Sequence, residues 1–78
     1  MSVAEAFGDV ATTLAQLGPQ TIVQLKASAP MSARVEDLTA RKKDGLITTE
    51  ETTELEQFLA LDLLISLAKA RARVILLA

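Results

Sequence analysis

The chain contains no cysteine, histidine, tryptophan or tyrosine, and only two aromatic residues, Phe7 and Phe58. The lack of cysteine excludes a disulfide framework, and together with the lack of histidine it removes the thiol and imidazole on which most nucleophilic and zinc chemistry depends. Two phenylalanines give no set of aromatic platforms for stacking nucleic-acid bases. Basic residues are also in slight deficit, eight against ten acidic ones, for a net charge of -2. Broad attraction to nucleic acid or anionic lipid needs clustered lysine and arginine, so neither is expected. Long apolar runs are missing as well. Residues 63–78 are apolar but interrupted by Lys69, Arg71 and Arg73, too short a run for a transmembrane anchor. Residues 1–17 have no basic start and carry Glu5 and Asp9, which argues against a secretory signal. The expected location is the cytoplasm.

What remains is an apolar chain of 78 residues, half of them hydrophobic. That length suits one helical domain, residues 1–78, in the size range where a single core gives marginal stability. With disulfides and histidine–cysteine metal sites excluded, oligomerisation or a bound partner is the remaining means of covering apolar surface.

Local signals mark out helices. Ser2 can cap a first helix in which Val3, Phe7, Val10, Leu14 and Leu17 recur at spacings of four and three. Gly18, expected in the left-handed conformation, and Pro19 end it. Residues 20–29 are ambiguous, because Thr21, Ile22 and Val23 favour a strand whereas Ile22, Leu25, Lys26 and Ala29 fit a short helix. The helix is preferred, since a strand would have nothing in the chain to pair with. Pro30 opens a third helix, with Ser28 or Ser32 as cap and a narrow apolar edge of Met31, Val35 and Leu38. Asp37 and Arg41 stand one turn apart, Lys42 and Lys43 suit a helix C-terminus, and Gly45 supplies the stop. Thr48 and Glu51 then form a T-x-x-E capping box that starts a long final helix over residues 48–78. The predicted fold is all-α: a small bundle of three or four helices with a long C-terminal helix.

That last helix carries two apolar rows. One is Leu55, Leu59, Leu63, Leu67, Ala70, Val74 and Leu77; the other is Phe58, Leu61, Ile65, Ala68, Ala72 and Ile75. The first row is expected to receive the first helix and the segment after it. The second, Phe58, Leu61, Ile65, Ala68, Ala72 and Ile75, is expected to form a partner interface, with Phe58, Leu61 and Ile65 as anchors. Asp62, Ser66, Lys69 and Arg73 follow at spacings of four, three and four and make a polar strip. Antiparallel pairing of two copies brings Glu54, Glu56 and Asp62 toward Lys69, Arg71 and Arg73, which makes a homo-oligomer electrostatically reasonable.

Three motifs resolve into simpler readings. Residues 44–51 match the second half of a calcium-binding EF-hand loop, but counting back places Ala40 and Lys42 where oxygen ligands belong, and a lysine repels the ion. Glu50, Glu51, Glu54 and Glu56 could be taken for an acid–base or metal cluster, yet acids in the first turns of a helix offset its positive dipole end. Lys69, Arg71 and Arg73 complement the opposite end. No catalytic, cofactor or metal residue is singled out, and an enzyme is not expected. A strand at residues 21–26 followed by two helices would match a ribbon-helix-helix DNA-binding repressor, with Thr21 or Ile22, Gln24 and Lys26 outward. That is a poor set for reading bases.

From Ser28 onward the pattern resembles a group of short, all-helical bacterial proteins with a charged helix, a G-x-[LI]-T-x-E-E link and a Leu-rich helix ending K-A-R-A-R. The matching stretches are residues 33–38, Gly45-Leu46-Ile47-Thr48-Thr49-Glu50-Glu51 and residues 61–73. Thr49 stands where proline or serine is common in that link, which leaves the cap unaffected. The resemblance implies an antitoxin-like or accessory protein. Its long C-terminal helix would mask, stabilise or recruit a larger protein partner, a nuclease-like toxin or a larger complex. A self-assembling structural helical module is the alternative.

Overall fold

Side-chain caps decide where the helices begin. In the computed structural model, which describes all 78 residues, the Ser2 hydroxyl accepts a 3.1 Å hydrogen bond from the Glu5 amide and starts α1, Val3–Leu17. Ser28 caps α3, Ala29–Lys43, in the same way, accepting from the Met31 amide at 3.3 Å with Pro30 in the first turn. Thr48 and Glu51 cap reciprocally: the Glu51 amide donates to the Thr48 hydroxyl and the Thr48 amide to the Glu51 carboxylate, each at 3.1 Å. This box opens α4, Thr49–Leu77. Each cap satisfies amides that the first helical turn leaves without partners.

Gly45 ends α3. Its φ of +73° is the left-handed conformation that glycine adopts without steric cost. The Gly45 amide donates to the Lys42 carbonyl at 3.2 Å and the Leu46 amide to the Arg41 carbonyl at 2.8 Å, the paired bonds of a Schellman motif.

Gly18 does not behave as expected. Its φ is -168°, extended backbone rather than the left-handed region. Pro19 opens a new helix there: its fixed φ and missing amide suit a first helical position, and α2 spans Pro19–Ile22. The Ile22 amide donates to the Gly18 carbonyl at 2.9 Å. The segment expected to be helical over residues 20–29 is therefore helical only to Ile22 and continues as a turn, with Gln24 and Leu25 donating to Thr21 and Ile22. No strand forms. The extended element that a ribbon-helix-helix arrangement needs is absent.

The chain groups into two units, and α4 contributes to both. One consists of residues 26–61, which include α3 and the start of α4. Its core is Leu38, fully buried, with Leu55 almost so; Met31, Val35, Ile47 and Phe58 are half-buried. The other consists of residues 1–25 and 62–78, which include α1, α2 and the rest of α4. Its fully buried residues are all alanines: Ala11 and Ala15 on α1, Ala68 and Ala72 on α4. Both alanine pairs have the four-residue spacing that places side chains on one helix face. Small side chains at a helix contact allow the backbones to approach closely.

This packing reverses part of the expected assignment. Ala68 and Ala72, placed by the sequence at a partner interface, are core residues. Leu63, Val74 and Leu77, expected to receive the first helix, are exposed, as are Val3, Val10 and Leu17 of α1. A contact made through alanines leaves longer aliphatic side chains at its margins.

Candidate protein-binding surface

The acidic first turns of α4 are engaged by α3. Arg34 forms a two-pronged pair with Glu54, Nε to Oε1 at 2.9 Å and Nη2 to Oε2 at 2.8 Å, and also donates from Nη1 to Asp37 at 3.1 Å. Arg41 reaches Asp37 and Glu51, each at 3.2 Å, and Glu51 lies 3.9 Å from Arg34. The hydrogen bond from Arg34, above all, holds the Glu54 carboxyl below its ordinary pKa. The same bond, outweighing desolvation, raises the pKa of Arg34. Water screens these partly exposed groups, so their main contribution is geometric: a planar guanidinium fixes α3 against the first turns of α4. Glu51 and Glu54 are thereby committed to arginines and to the cap. No group of acidic side chains is gathered in a way that could hold a metal ion.

The polar strip divides. Asp62, Ser66 and Arg73 are exposed, but Lys69 is half-buried and its Nζ donates to the Leu25 carbonyl at 2.7 Å, fastening the segment after α2 to α4. Arg71, outside the strip, is half-buried and donates from Nε to the Thr12 hydroxyl at 2.8 Å. Its Nη2 would lie 3.6 Å from a Cβ at Gly8, an ordinary contact distance.

Of the expected interface row, Phe58 and Ile65 are half-buried, Leu61 and Ile75 exposed, and Ala68 and Ala72 inaccessible. Phe58 and Leu61 line a shallow recess of about 180 Å³ with Glu54 and Gln57. The larger apolar surface lies in the unit that contains α1. There Val3, Ala6, Phe7 and Val10 enclose, with Leu64 of α4, a recess of about 220 Å³ without a charged residue in its lining. Val3 is 73% exposed, Val10 48% and, seven residues on, Leu17 80%. Residues seven apart on a helix share a face, so these three make an uncovered aliphatic row.

The sequence placed this α1 row in the core. The signal that could have corrected it is the two alanine pairs at four-residue spacing, Ala11 with Ala15 and Ala68 with Ala72, which are the fully buried residues of this unit. No helix is long and apolar enough to cross a membrane. No protein-family model, no curated protein and no solved structure matches this chain.

Proposed function

We propose that this chain is a small antitoxin-like or accessory protein that binds a larger protein partner, masking, stabilising or recruiting it in the cytoplasm. One observation carries the reading: four of the six buried residues are alanines, while thirteen large aliphatic or methionine side chains are exposed. A chain that folds for its own sake also places its leucines and valines inside, where each contributes roughly 1.5–3 kcal/mol, more than a buried alanine can. Here the larger stabilisation is left to be gained by association. The recess between α1 and Leu64 has the form that accepts an aliphatic or aromatic anchor, and Val3, Val10 and Leu17 extend the contact along α1.

The test is co-expression of a tagged copy with the products of its genomic neighbours. The expected result is one neighbour retained at a fixed stoichiometric ratio. A Val10→Asp chain should release it while keeping its helical circular dichroism. Retention of no neighbour, or undiminished retention by the Asp variant, would contradict the reading.

A further inference from the structure

A second face of α4 lies outside the recess. Leu63, Ser66, Ala70, Val74 and Leu77 follow at spacings of three, four, four and three, and all are exposed. Asp62 and Arg73 border this row. They are eleven residues apart, three helical turns plus roughly 20°, so both stand on the same flank. Neither takes part in an ion pair within the chain. Neither has an opposite charge one turn away on its own helix: Asp62 is flanked at those positions by Phe58, Leu59, Ile65 and Ser66, and Arg73 by Lys69, Ala70, Leu76 and Leu77. Lys69 and Arg71 are already engaged inside the unit.

The row reads nearly the same from either end. Turned end for end about residue 68, Ser66 exchanges with Ala70, while Asp62 comes within one residue of Arg73 and Leu63 within one residue of Val74. We propose that this face pairs with a second copy of the chain, antiparallel, with a two-fold axis near residue 68. Asp62 of each copy then meets Arg73 of the other, and both pairs form at once because the axis relates them. Leu63 packs against Val74, while Ser66 and Ala70 keep the centre narrow enough for the helices to come close. In a parallel pair the two-fold axis runs along the helices and puts this flank against the partner's opposite flank, so only the antiparallel arrangement brings Asp62 to Arg73. The pairing uses neither Val3, Val10 nor the recess, and stands independently of the partner proposed above.

Sedimentation equilibrium over the micromolar range tests it on the full chain. The parent should sediment at twice its 8.3 kDa chain mass. Asp62→Arg or Arg73→Asp alone should weaken dimerisation roughly tenfold or more, and the two together should restore it to within about threefold. Ala70→Glu should give a monomer with unchanged helical circular dichroism. Because the chain has no cysteine, a mixture of Ser66→Cys and Ala70→Cys chains reports the register: oxidation should join unlike chains in preference to like ones. A monomeric parent, a double reversal no better than the single ones, or cross-links mainly between like chains would overturn the proposal. A chain that stays monomeric yet retains a neighbouring gene's product refutes the dimer alone. A charge-rescued dimer that retains none confirms the dimer and refutes the partner reading.

Discussion

Exchanging the sizes of a buried and an exposed side chain has opposite consequences here from those in a leucine-cored bundle. Ala72 is completely buried, so Ala72→Leu must insert three further carbon atoms where the unit has no open surface. Overpacking of this kind costs about 1–3 kcal/mol. Leu17→Ser removes a large aliphatic side chain, but one that is 80% exposed. Only about a fifth of the roughly 1.5–3 kcal/mol for full burial is at stake, or about 0.3–0.6 kcal/mol. For a chain of this size each kcal/mol moves the melting temperature by about 4–8 °C. Thermal unfolding followed by circular dichroism should therefore show a drop of about 4 °C or more for Ala72→Leu, and under about 5 °C for Leu17→Ser. If Ala72→Leu melts with the parent, or Leu17→Ser is the more damaging change, the alanine contact is not the core of this unit and the exposed row is not spare.

Gly8→Ala should stabilise by about 0.5–1 kcal/mol, read as a higher melting temperature, because alanine is the better helix former and the added Cβ meets Arg71 only at 3.6 Å. Thr48→Ala removes the hydroxyl that accepts from the Glu51 amide and should cost about 1 kcal/mol in denaturant unfolding. Glu54 has a lowered pKa in the folded chain. Its stabilising contribution is therefore present above the ordinary glutamate pKa of about 4.3 and lost as pH falls through the lowered value. Denaturant midpoints measured from pH 7 downward should fall less steeply in Glu54→Gln than in the parent below about pH 4.3.

The helix boundaries were legible because caps are local. Ser2, Ser28, Thr48 and Glu51 bond to amides three residues away, and Gly45 resolves its turn within a few residues, so a short stretch of sequence contains both partners. The Asp37–Arg41 pair is legible for the same reason. Residues 20–29 misled because Ile22, Leu25 and Ala29 keep a helical spacing although the helix stops at Ile22: the Leu25 carbonyl is taken by Lys69, and Ala29 begins α3. The candidate surface was read least well. Two rows running the whole of α4 presuppose that each row meets one partner from end to end. Instead the helix serves two units, and each buries its own residues: Leu55 in one, Ala68 and Ala72 in the other. Hydropathy favours the leucine row for a core, whereas close approach favours the alanine row, and in this unit burial falls on Ala68 and Ala72 of α4 and on Ala11 and Ala15 of α1. The pairing of Arg34 with Glu51 and Glu54 was not legible, because those partners lie seventeen and twenty residues away.

Native mass spectrometry of the tagged chain, purified after co-expression with its genomic neighbours, tests the central claim that the exposed aliphatic surface is there to be covered by another protein. The predicted result is a complex that contains one neighbouring gene product together with two copies of this chain, and that loses the neighbour on Val10→Asp. A spectrum showing only the free chain at 8.3 kDa would contradict it.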